Sequence, residues 1–109
     1  MASNQVIQVH FDAKVIELNR MERSPLSGEE GYIMDADPKW KLVLEVLPHM
    51  QKIPFQPGIR TCYIGDPELV FGVSAKHVSG KYRFSYTWNV DVSGKPEFTD
   101  FKATKIKNY

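Results

Sequence analysis

Residues 81–92 alternate without a break. Tyr82, Phe84, Tyr86, Trp88, Val90 and Val92 take the even positions; Arg83, Ser85, Thr87, Asn89 and Asp91 take the odd ones. Successive side chains of a strand point to opposite faces, so this stretch buries its large residues only as one β-strand with a dry face and a wet face. A near-identical tetrapeptide brackets it, Val78-Ser79-Gly80-Lys81 before and Val92-Ser93-Gly94-Lys95 after. Ser-Gly marks a turn, because glycine takes positive φ without a Cβ clash. Two turns at the ends of one strand predict antiparallel neighbours on both sides, a meander of about three strands.

The N-terminal segment has the same period. Ile7, Val9, Phe11, Ala13 and Val15 share one face, after which the apolar positions move to Ile16 and Leu18. A one-residue shift is the signature of a β-bulge, a device that bends strands at barrel corners. A short helix over residues 14–23 competes with this reading. Trp40, Leu42, Leu44 and Val46 alternate too, although Trp40, Val43, Leu44 and Leu47 also fit a helical stripe. The β-branched content and the stop at Pro48 favour a strand. Further short strands are expected over residues 59–64 and 69–73, with Gly65-Asp66-Pro67 as the turn between them and Gly72 as a bulge or close approach. A last strand spans 98–106, its inward face slipping between Phe98 and Phe101.

Six or seven strands with turns every 8–14 residues and no strong helix predict an all-β domain. The two long, bulged strands favour a small antiparallel β-barrel of the oligonucleotide/oligosaccharide-binding kind, of about six strands. An immunoglobulin-like β-sandwich is the runner-up. The 109 residues suit one domain spanning 1–109. No apolar run exceeds five residues, the longest being residues 69–73, so no membrane-spanning helix is expected. The start lacks a basic, then apolar, leader, and Cys62 is the sole cysteine; both point to the cytoplasm.

Charge narrows the function classes. Fourteen basic and thirteen acidic side chains leave a net +1, which disfavours a dedicated nucleic-acid binder without excluding nucleic acid as a partner. The second half, residues 55–109, holds eight basic and five acidic groups, hence +3 there, with Lys102, Lys105 and Lys107 near the end. These read as a charged edge that discourages aggregation.

Chemistry-bearing motifs are scarce. A blue-copper set needs two His, a Cys and usually a Met. Here the next His after Cys62 is His77 and no Met follows Met50. His10, His49 and His77 have no zinc-ligand spacing. Asp35 and Asp37 begin like a calcium loop, but Lys39 falls where a third oxygen ligand belongs. No metal or cofactor is therefore expected. Nucleophile elbows, phosphate loops and His-Glu-x-x-His are absent from the sequence, so no catalytic residue is assigned.

The candidate ligand contacts are Arg83 and Asn89 on the polar face of the long strand, Lys102 and Lys105 on the last strand, and His49 and Phe55 in the Pro-rich loop 48–58. The aromatic stripe itself reads as the core face, because burial of one face sets strand register. A non-enzymatic binding or interaction module follows, for a protein or a small polar ligand, with loops 19–37 and 48–58 as its footprint. The alternatives are an oligonucleotide- or oligosaccharide-binding barrel that stacks bases or sugars on the aromatic strand, and a small enzyme built from dispersed carboxylates. The expected state is a monomer or a homodimer paired through an edge strand, at residues 59–64 or at the C-terminus.

Overall fold

The alternating N-terminal segment forms the longest strand, and the rest of the sheet is organised around it. The computed structural model describes residues 5–23, 31–90 and 96–106. Strand β1 (Gln5–Arg20) has two partners, both antiparallel. Its first part, residues 5–14, pairs with β5 (Lys81–Val90); its second, residues 13–20, pairs with β3 (Trp40–Val46). Beyond β3 lies β4 (Gly58–Ile64), then the two-residue β2 (Tyr32–Ile33); beyond β5 lies β6 (Pro96–Lys105). The order is β2-β4-β3-β1-β5-β6, one six-stranded sheet that curls into a half-barrel. The small all-β, barrel-like fold thus agrees with the sequence pattern, and a single curled sheet replaces the two facing sheets of a sandwich. All pairs are antiparallel except β2 with β4, which run parallel.

The curl has identifiable causes. In β1 the pairing with β3 steps from Val15↔Leu44 to Glu17↔Val43, leaving Ile16 as the extra residue of a bulge. The inward face accordingly passes from odd positions (Val9, Phe11, Ala13, Val15) to the even Leu18. In β6 the pairing steps from Ser85↔Lys102 to Thr87↔Thr99, and Asp100 takes a left-handed φ of 56° at this second bulge. Both irregularities sit where the sequence moved its apolar face by one residue, and bulges increase local twist and bend.

The concave face holds the core. Val9, Phe11 and Ala13 of β1 meet Leu42, Leu44 and Val46 of β3, Cys62 and Ile64 of β4, and Tyr82, Phe84 and Tyr86 of β5, all buried. Phe11 stacks on Phe84 at 5.4 Å between ring centroids, and Phe84 stacks on Phe101 of β6 at 5.4 Å. The aromatic stripe is therefore core over Tyr82, Phe84 and Tyr86, with Trp88 half-buried at its end.

Three expectations need correction. Residues 69–73 are not a strand: Pro67–Phe71 is one short helix, α1. Asp66 caps it by accepting the Glu68 N–H at 2.9 Å, Pro67 supplies a preset φ in its first turn, and Gly72 ends it at φ 75°. Residues 59–64 are an edge only in part: Cys62 and Tyr63 of β4 pair with β2 on one side, and the strand pairs with β3 on the other. Strand β5 has the expected antiparallel neighbours on both sides, β1 and β6, but its first turn, at Gly80 (φ 89°), does not join two paired strands. The second turn, at 93–94, lies outside the described residues.

Candidate ligand-binding cleft

The sequence-selected residues do not converge. On the convex face, the Arg83 guanidinium binds the Asp12 carboxylate at 2.9 Å, an exposed ion pair across β5 and β1. Asn89 is half-buried, with Oδ1 shielded from solvent and without a hydrogen-bond partner. Lys105 donates to the Ser79 carbonyl and lies over the Tyr82 ring at 4.9 Å; it ties β6 to the turn before β5. Lys102 donates to the Leu69 carbonyl at 2.9 Å, which steadies the last turn of α1 against β6.

Loop 48–57 closes the half-barrel. Phe55 is 0% exposed and stacks on Phe11 at 4.7 Å between centroids, with Tyr32 at 4.8 Å on another side. The Phe55 ring is thus the plug of the concave face and presents no surface to solvent. His49 holds the same loop. Its Nδ1 accepts the Gln51 N–H at 3.1 Å, which leaves Nε2 protonated to donate to the Phe55 carbonyl at 2.8 Å. Gln56 and Arg60 bind the carbonyls of Gln51, Ile53, Gln56 and Pro57, so the turn carries its own hydrogen-bond lattice. Met50, 99% exposed, is the apolar residue this loop leaves in water.

What the fold does bring together lies at the other end of β1. Arg20, Trp40 and Ile64 stand in one row across β1, β3 and β4. Two residues later Asp66 starts α1, and after the helix the chain returns through the single 3-10 turn Ala75–His77. Arg20 and Trp40 of this row, Gly65 after it, the helix and the turn line a cleft of about 690 Å³. That lies within the roughly 300–1,000 Å³ of small-molecule sites. Half-buried Trp40 and Leu69, 66% exposed, supply apolar walls; Arg20, Lys76 and Glu68 supply charge around them.

Other ionisable groups in the cleft hold the scaffold. Asp35 Oδ1 accepts the Asp37 N–H at 2.9 Å, forming a turn, and Asp37 sits 3.7 Å from the Lys39 ammonium. An Asp66 oxygen is the helix cap. Gly65 admits this packing, because a Cβ there would stand 2.6 Å from Asp35 Oδ2. Arg20 and Lys76 have no such ties among the described residues. Cys62, wholly buried in the core, is kept as a thiol, since burial raises its pKa. Among the described residues no group of three His, Cys, Asp or Glu side chains is placed to hold a metal. No helix among them is long and apolar enough to cross a membrane.

In the sequence, Asp35 and Asp37 stand out only as a broken calcium loop and Arg20 only as part of the loop footprint 19–37, while Trp40, Leu69 and Lys76 carry no site signal. The available signal was Asp66-Pro67-Glu68, a helix start that also serves as a turn. Reading it as a helix turns Leu69 outward to solvent and folds Val70 and Phe71 inward.

No protein-family model, curated protein or solved structure matches the chain.

Proposed function

We propose that the protein is a non-enzymatic binding module whose ligand, a small polar molecule with an apolar or aromatic portion, enters the cleft between α1 and the ends of β1, β3 and β4. The observation that carries this is the pairing of a Trp40–Leu69 wall with the uncommitted Arg20 and Lys76 charges in one hollow. Apolar walls with a few orienting polar groups are the general form of a ligand pocket. The binding reading is favoured over a catalytic one because Asp35 and Asp66 each use an oxygen to hold backbone at 2.9 Å. It is favoured over an oligonucleotide or oligosaccharide barrel because Tyr82, Phe84 and Tyr86 are buried and offer no stacking platform. A lone buried thiol supports a reducing compartment, the cytoplasm, as its place.

The test is a fragment screen by amide NMR on the full chain, using a library of amino acids, carboxylated aromatics and short peptides. Shifts confined to Arg20, Trp40, residues 65–69 and 74–76 are expected. Leu69→Ser with Lys76→Glu should then weaken the best hit about tenfold, the equivalent of one charge-assisted contact. Hits that ignore this double substitution, or none at millimolar fragment, would overturn the proposal.

A further inference from the structure

The curled sheet does not close. Its terminal strands, β2 and β6, are not paired with each other among the described residues, yet both border one groove of about 720 Å³, with residues 31–36 on one wall and 98–100 on the other. The Tyr32 and Phe98 rings meet edge-on across its floor at 6.0 Å between centroids. The groove is the seam of an incomplete barrel.

Main-chain groups make this seam specific. Met34 N–H binds the Tyr63 carbonyl at 2.9 Å, so Met34 turns its backbone toward β4. Alternation along a strand turns the N–H and C=O of Ile33 the opposite way, to the open edge. On the facing wall β6 pairs with β5 alone. A row of unpaired backbone groups is a template for another strand. Among the described residues, the charged side chains lining the groove are Asp35 and Asp100, both exposed and both acidic.

We propose that the seam takes an extended peptide segment with basic side chains, inserted as a strand between β2 and β6. Its backbone pairs with both edges; apolar side chains on one face rest on Tyr32 and Phe98, while lysine or arginine side chains reach Asp35 and Asp100. A second copy of the chain is a poorer occupant. Its edge strands already belong to its own sheet: β2 is two residues long and β6 is bulged at Asp100, both features that blunt edge-to-edge association. A free segment has only this chain's edges to fit and brings no second blunted pair of its own, and strand addition of this kind is a recurrent mode of peptide recognition. Asp35 also borders the cleft beside α1, but the proposal uses none of that cleft's Arg20, Trp40, Leu69 or Lys76.

The experiment pans a random nonapeptide library against the immobilised full chain at low salt and synthesises the enriched sequences. Enrichment of lysine or arginine alternating with apolar residues is expected. Asp35→Asn together with Asp100→Asn should weaken those peptides about tenfold or more; Asn keeps the Asp35 turn acceptor and tolerates the left-handed backbone at Asp100. The second variable leaves the protein untouched. Methylating alternate peptide amides removes the donors facing one edge, and each of the two complementary sets should cost about tenfold. Sensitivity to one set alone means addition to a single edge and overturns insertion. No enrichment, enriched peptides without basic residues, or indifference to the carboxylate substitutions overturns it too. So would a concentration-dependent dimer abolished by the same substitutions, which would assign the seam to a second copy.

Discussion

Phe55 offers the sharpest test of how the half-barrel is held together, because one ring links a loop to four other aromatic residues. Its centroid lies 4.7 Å from that of Phe11, 4.8 Å from Tyr32, 5.6 Å from Tyr86 and 6.5 Å from Phe101. Phe55→Ala removes the ring and nothing else: the His49 bond goes to the main-chain carbonyl of residue 55 and survives. Full burial of a phenylalanine is worth about 1.5–3 kcal/mol, and the hollow left in a packed interior raises the total for Phe→Ala to about 3–5 kcal/mol. With every neighbour anchored on a strand or in the same loop, little relaxation can refill the site, so about 4 kcal/mol is expected. Domains of this size have about 5–15 kcal/mol in all. In urea, at an m-value near 2 kcal/mol/M, the midpoint should fall by roughly 2 M with m unchanged. Equilibrium unfolding followed by far-UV circular dichroism measures it, with Met50→Ala as the control expected within about 0.5 kcal/mol. A Phe55→Ala loss below about 1 kcal/mol would refute the view that loop 48–57 plugs the core.

Two further outcomes follow from burial and capping. Cys62 has its pKa raised by burial, so the folded state keeps a proton that the unfolded state releases near the ordinary value of 9.0. Stability contributed by the neutral thiol is complete below that pH and declines above it by about 1.4 kcal/mol per pH unit. Unfolding titrations of Cys62→Ala should lack the slope that begins there, leaving a later one from Tyr86, also raised chiefly by burial; an unchanged profile would count against burial of the thiol. Asp66→Ala should cost about 1 kcal/mol through the lost cap and speed amide exchange in α1. Asp12→Ala, which breaks an exposed ion pair with Arg83, should cost less than that; a reversed ranking in thermal melts would undo the assignment of Asp66 as the cap.

Strands announce themselves when one face is wet and one dry, and the chain was most legible where that held. The alternation of residues 82–90, the face change after Val15 and the slip between Phe98 and Phe101 each became a strand or a bulge at the expected place. Helix α1 escaped because five residues are too few to display a 3.6-residue period, while Leu69, Val70 and Phe71 are all good strand formers. The parallel pairing of β2 escaped for a similar reason, since two residues carry no period at all. The cleft was beyond reach for another cause. Arg20, Trp40 and Lys76 are separated by twenty or more residues and become neighbours through strand order, which hydrophobic pattern does not encode. Side chains chosen for their chemistry alone, such as Phe55 and Lys105, turned out to hold the scaffold, because Pro-rich loops and strand ends are also where a small barrel needs ties.

The double partnership of β1 sets a timetable for making the protein. Its first ten residues face residues 81–90, so the strand that leaves the ribosome early waits for a partner about seventy-five residues behind it. At translation rates of roughly 5–20 residues per second the wait is about 4–15 s. During that interval only the β1–β3–β4 side can assemble. The apolar residues Val9 and Phe11, buried in the folded protein, are held without the strand that completes their core. Nascent chains stalled before residue 81 should therefore be the ones that chaperones hold and proteases cut, and release should coincide with the emergence of β5.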